Sequence, residues 1–172
     1  MNMENQIKNT PEDTPKSVVR LATLKDFDWC VKLAIEAVKE IALVEPDYPM
    51  LLNHIWASLN LDHGLMGVIG EEGGVLEGGV MLRIGQMWYS SESILEEKVV
   101  FVHQDFRSAK GGRAKLLSEW CKAKSVELGL PLFAGVMTTE RSQGKMKLFE
   151  RMFGPPAGAF FLYNDKSGKV MS

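Results

Sequence analysis

The chain has 172 residues, 45% of them hydrophobic and 24% charged, with a formal net charge of −2 and a pI near 6.0. That length suits one domain whose core needs no disulfide or metal staple. The slightly acidic balance argues against a general nucleic-acid-binding surface, which would leave a basic footprint, though not against a local basic pocket, and no run approaches the roughly 18 apolar residues of a membrane span.

The opening stretch, MNMENQIKNTPEDTPKS, is polar and has no apolar signal core, so residues 1–16 read as a disordered tail ahead of a domain spanning 17–172. VVRLAT (18–23) reads as a short first strand. Thr23 and Asp26 then form a capping-box-like helix start. Phe27, Val31, Ala34, Val38 and Ile41 follow at helical spacing until Pro46 and Pro49 break the helix. A second helix begins near Tyr48 and carries Leu51, Leu52, Ile55, Trp56 and Leu59. From Leu65 to Val102 the runs LMGVIG, GVLEGGVMLRIGQMWY and ILEEKVVFVH read as strands joined by EEGG and SSES hairpin connections.

Helix returns from about Gly112 to Leu128, with Ala114, Leu117, Trp120, Cys121 and Leu128 assigned to one face, and Gly129 and Pro131 end it. LFAGVMTT reads as a continuous, buried strand, QGKMKLFERMF as a short helix, and AFFLYN as a closing strand. The order β-α-α-β-β-β-α-β-α-β predicts an α+β domain with a mixed sheet and helices on both faces. Cys30 and Cys121 fall in predicted helices and read as buried, reduced thiols of a cytoplasmic protein. His54, His63 and His103 show no ligand spacing, so no metal is expected.

The densest chemical signal is Lys110-Gly111-Gly112-Arg113, where a strand gives way to a helix. A helix N-terminus leaves four backbone N–H groups without partners and carries a partial positive charge. Glycines there let an anion approach the backbone. The plain alternative is a turn, and neither of the familiar glycine-rich nucleotide fingerprints is present.

Taken together, VVRLATLKDFD, VVFVHQDFR, KGGRAKLL and LFAGVMTTERSQGKMKLFERMFG resemble successive parts of the GNAT superfamily of acyl-CoA-dependent N-acyltransferases. The resemblance runs from residue 18 to about 163. It implies a mixed, mostly antiparallel sheet whose fourth and fifth strands splay apart to admit the pantetheine arm of acetyl-CoA. Val100, Phe101 and Val102 would pair with that arm, and a backbone N–H near Val102 would polarise the thioester carbonyl. Gly112-Arg113-Ala114 matches the end of the family's pyrophosphate loop, with Lys110, Gly111 and Arg107 assigned to the same anion. The Arg or Gln expected three residues before Gly112 is Ala109, and Arg107 lies two positions too early.

The resemblance also implies an acetyl transfer to a primary amine by direct attack in a ternary complex. The acceptor would be a small molecule or a peptide, with no nucleic acid, membrane or metal involved; a homodimer is left open. Glu97 stands where several members of the family carry a general base; its alternative is a solvent-facing charge on a half-exposed strand, with Glu96 turned to the opposite face. His103 is the histidine near the slot, read either as a base or as a strand-end residue touching solvent. Where the family often has a proton-donating tyrosine this chain has Phe149, which cannot donate, and its common asparagine is Ser142. Tyr89 and Tyr163 are candidates for the missing acid or plain packing residues. Met81, Met87, Trp88 and Tyr89 would line an acceptor site or build core, and Tyr48, His54 and Trp56 sit in the region that caps it. The alternative function is a catalytically degenerate GNAT fold that binds CoA or a partner, and a third is a small-ligand or assembly module.

Overall fold

The structure is a computed structural model that describes residues 18–41, 43–107, 112–137 and 142–163. The expected N-terminal tail and the loop residues Lys110 and Gly111 lie outside them. Strands β1 (Val19–Leu21), β2 (Gly64–Gly70), β3 (Leu76–Gln86), β4 (Ser93–Val102) and β5 (Leu132–Phe133) form one sheet in the order β1-β2-β3-β4-β5. Every neighbouring pair is antiparallel except β4 and β5, which run parallel. Helices α1 (Phe27–Ile41) and α2 (Tyr48–Leu59) cover one face, and α3 (Arg113–Leu128) covers the other, with α4 (Ser142–Phe153) held against α3 by Lys122 Nζ donating to the Met152 carbonyl at 3.0 Å.

The two cores follow from strand alternation. Met66, Val68 and Phe101 turn toward Cys30, Leu33 and Ile55 of α1 and α2. Leu65, Ile69, Leu82 and Leu95 turn toward Leu117 and Cys121 of α3. Leu82, Leu95 and Leu117 are fully buried, and each such side chain contributes about 1.5–3 kcal/mol, so β4 is fixed tightly against α3. Gly67 leaves bare backbone for the Trp120 ring: a Cβ there would stand 2.7 Å from it.

At the entry to α1, the buried Asp26 carboxylate accepts from both Arg20 terminal nitrogens at 2.8 Å, the Thr23 N–H at 2.8 Å and the Gly73 N–H at 3.0 Å. Burial would push this carboxyl up, but the Arg20 guanidinium and the two backbone donors outweigh it and hold its pKa at about 2. This ties β1, α1 and the β2–β3 turn together.

Three expected elements differ. Over its described part LFAGVMTT yields a two-residue strand at the sheet edge, with Phe133 45% exposed, rather than a long buried one. AFFLYN forms no strand over its described part, and Phe160, Phe161 and Tyr163 are exposed. The run GVLEGGVMLRIGQMWY leaves the ladder at Gln86, so Trp88 and Tyr89 sit exposed in the β3–β4 turn, one ring edge-on to the other with centroids 5.6 Å apart.

Candidate active site

The site begins with an interruption in β4. Met81 lies opposite Val99 and Leu82 opposite Glu97, so Lys98 is an extra, bulged residue. The bulge keeps Glu97 on the α3 face, opposite Leu82, while Glu96 pairs with Arg83 on the other face.

On its far side β4 pairs with β5 at Leu95 and Glu96, and no described strand continues that ladder. The His103 N–H donates to the Glu77 carbonyl on β3. Alternation along an antiparallel strand then turns the backbone of Phe101 toward β3 and that of Val100 and Val102 toward the open edge. Of the three residues expected to pair with a pantetheine arm, two therefore present backbone to the opening; Phe101 instead buries its ring against α1. The Val102 carbonyl already accepts from Arg107 Nε at 2.7 Å, which leaves the N–H groups of Val100 and Val102 and the Val100 carbonyl facing the gap.

A cleft of about 1230 Å³ occupies the opening, above the usual 300–1,000 Å³ of a small-ligand site. Its walls include Glu97, Val100, Val102, Arg107, Gly112, Arg113, Ala114 and Phe149, so the structure gathers most of the residues picked from sequence around one space. Glu97 is not a solvent-facing charge: its side chain is 3% exposed, with Lys145 Nζ 4.0 Å away and the Gly135 N–H donating to it at 3.3 Å. Burial pushes its carboxyl above the ordinary carboxylate range, against the opposing pull of Lys145 and the Gly135 N–H. Such a group is a better proton acceptor near neutral pH than an exposed glutamate.

Sequence reading missed Lys145. It lies four residues before Phe149, one turn back on the same helical face, and its Nζ stands 5.1 Å from the centroid of the Phe149 ring. Phe149 is itself buried and packs edge-on against Phe153. The i, i+4 spacing was the signal available.

At the other end of the cleft α3 begins on Gly112, whose φ of 59° and ψ of 43° place it in the left-handed region that favours glycine. The first helical bond runs from the Leu116 N–H to the Gly112 carbonyl, so the N–H groups of Arg113, Ala114 and Lys115 point out of the helix end. The two arginines expected beside an anion are engaged with carboxylates. Arg107 pairs with Glu40 and lies over the Phe101 ring, and Arg113 pairs with Glu77 and lies over the Phe106 ring. An arriving phosphate would have to draw them from those partners.

His103 stands outside the cleft lining. It is buried rather than touching solvent, caps the short 3-10 turn Gln104–Phe106, and packs between Trp29 and Phe106 with Glu36 3.6 Å from its Nε2. Tyr89 and Tyr163 are exposed and line no part of the cleft; Met81 is core, and Met87 lies in the cleft wall. Tyr48, His54 and Trp56 are exposed along α2. Cys121 is buried beneath the site, and burial together with the Glu97 charge pushes its thiol up to about 12, which makes it a poor nucleophile. Among the described residues no group of three or more His, Cys, Asp or Glu side chains is placed to hold a metal ion, and no helix is long and apolar enough to cross a membrane.

Among the described residues, this arrangement of four α-helices on a mixed sheet that opens between β4 and β5 is a GNAT-like α+β fold. The chain is similar to a probable acetyltransferase at 14% identity and a TM-score of 0.63, over 85% of this chain and 95% of the other. It is similar to the aminoglycoside N-acetyltransferase AAC(6')-Iy in complex with a CoA-containing bisubstrate analog, at 17% identity and a TM-score of 0.62 over 86% and 97% of the two chains. It is also similar to the ribosomal-protein-alanine N-acetyltransferase of Brucella melitensis biovar Abortus 2308, at 18% identity and a TM-score of 0.61 over 85% and 96%. No family model and no curated protein sequence matches the chain.

Proposed function

We propose that this protein is an N-acetyltransferase that moves the acetyl group of acetyl-CoA to a primary amine of a small molecule. The observation that carries the reading is the open edge of β4: two outward N–H groups, at Val100 and Val102, border a cleft that also holds a buried, proton-accepting Glu97. An extended amide-containing arm can add to such an edge as a strand would. The first turn of α3 offers N–H groups and helix-end charge to a pyrophosphate, with the glycine at its cap admitting close approach.

In this mechanism the Val102 N–H donates to the thioester carbonyl oxygen as negative charge develops there. Glu97 takes the proton from the amine, directly or through one water. Attack is direct within a ternary complex, because the one cysteine near the cleft, Cys121, holds its proton too tightly to serve as an acyl carrier. Neighbours of the same fold that are named aminoglycoside acetyltransferases support a small-molecule amine as the acceptor. The test is thiol release from acetyl-CoA in the presence of aminoglycosides, polyamines, amino acids and peptides. Release that depends on one amine class, with the acetylated product seen by mass spectrometry, is expected; no amine-dependent release across the panel would refute the reading.

A further inference from the structure

An acyl transfer from a thioester needs two proton movements: one leaves the amine, and one reaches the departing sulfur. The buried Phe149 ring lines the cleft but has no proton to give. Lys145 lies in the same wall, its Nζ 5.1 Å from the face of that ring and 4.0 Å from Glu97 Oε1, with its side chain 22% exposed.

The geometry points to Lys145 as the proton donor to the leaving thiolate, working as a pair with Glu97. This rests on the transferase reading above. The amine nitrogen forms its bond to the carbonyl carbon, and Glu97 accepts the proton that the nitrogen loses. The carbon–sulfur bond then breaks, its electron pair leaves on sulfur, and the Lys145 ammonium supplies the proton that gives the free thiol. At that point Glu97 is protonated and Lys145 is neutral. They stand close enough for the proton to pass from carboxyl to amine, directly or through one water, which restores the starting pair. Amine and thioester become amide and thiol, and nothing else is consumed.

Two substitutions separate proton donation from simple charge balance. Lys145→Arg keeps a cation beside Glu97, but a guanidinium does not give up its proton in proteins. Lys145→Ala removes the donor and leaves room for a small ammonium. The expected result is that Lys145→Arg lowers kcat by 10²-fold or more while calorimetry gives an acetyl-CoA Kd within twofold of wild type. Trimethylammonium, which donates a proton but cannot be acetylated, should restore part of the turnover of Lys145→Ala. A Lys145→Arg enzyme with wild-type kcat would overturn the role and leave the transferase reading standing. A wild-type protein that fails to bind acetyl-CoA would overturn both.

Discussion

Replacing Asp26 with asparagine removes the charge at the junction of β1, α1 and the β2–β3 turn. The fall of its carboxyl from the ordinary 3.8 to about 2 corresponds to roughly 2.4 kcal/mol of stability at neutral pH. An asparagine would also put an N–H₂ group in place of one carboxylate oxygen, each of which accepts from two of the four donors, leaving two of them without an acceptor at a cost of at least about 1–3 kcal/mol. Together these predict a loss of about 3–5 kcal/mol at pH 7, the range expected when a buried ion pair loses one partner. The folded-state pKa is depressed, so the wild-type contribution is present above 3.8 and is lost as the pH falls through about 2. Urea unfolding of both proteins at pH 7, 5, 3 and 2 measures this directly. The gap should hold from pH 7 to 5 and narrow by roughly 2 kcal/mol by pH 2. A difference below about 0.5 kcal/mol at pH 7, typical of a surface change, or a gap that does not vary with pH, would refute the reasoning.

Glu97→Gln should lower kcat/KM on the order of 10²-fold and abolish the acidic limb of the pH–rate profile, which in the wild type should lie above the range of an ordinary glutamate. Because burial raises that carboxyl, its ionisation opposes folding as the pH rises. The melting temperature of Glu97→Gln relative to wild type should therefore increase between pH 4 and pH 8, as scanning calorimetry would report. Gly112→Asp places a negative charge at the N-terminus of α3; its Cβ meets Lys115 only at 3.8 Å, and the left-handed φ of 59° adds about 1–2 kcal/mol of backbone strain that the fold can carry. Acetyl-CoA affinity by calorimetry should drop at least tenfold, about 1.4 kcal/mol, while the circular dichroism spectrum is unchanged. Gly67→Ala should cost about 1–3 kcal/mol in urea unfolding, since its methyl would meet the Trp120 ring at 2.7 Å.

What the sequence made legible is mostly local. The Thr23–Asp26 helix start, the hairpin connections and the start of α3 at about Gly112 depend on a few neighbouring residues, and all formed as expected. The alternation that separates Glu96 from Glu97 also held. The Lys98 bulge did not show in the sequence, because register is set across the sheet by β3. Nor did the pairing of Arg107 with Glu40 and Arg113 with Glu77, whose partners lie 67 and 36 residues away. Apolar composition alone made LFAGVMTT look like sheet interior and AFFLYN like a closing strand. A strand also needs a neighbouring edge, and among the described residues the outer edge of β4 is paired at Leu95 and Glu96 alone. Lys145 carries no motif of its own: its only mark in the sequence is its place one turn before Phe149, and its approach to Glu97 is set by how α4 packs.

The central claim is that the gap between β4 and β5 is an acetyl-CoA site. Isothermal titration of the wild-type chain with acetyl-CoA tests it without any knowledge of the acceptor. One site per chain with a Kd between about 1 μM and 1 mM, the usual range for an enzyme and its substrate, is the predicted result. A folded protein that gives no binding heat with acetyl-CoA at millimolar concentration, and no rise in melting temperature with it, would contradict the account.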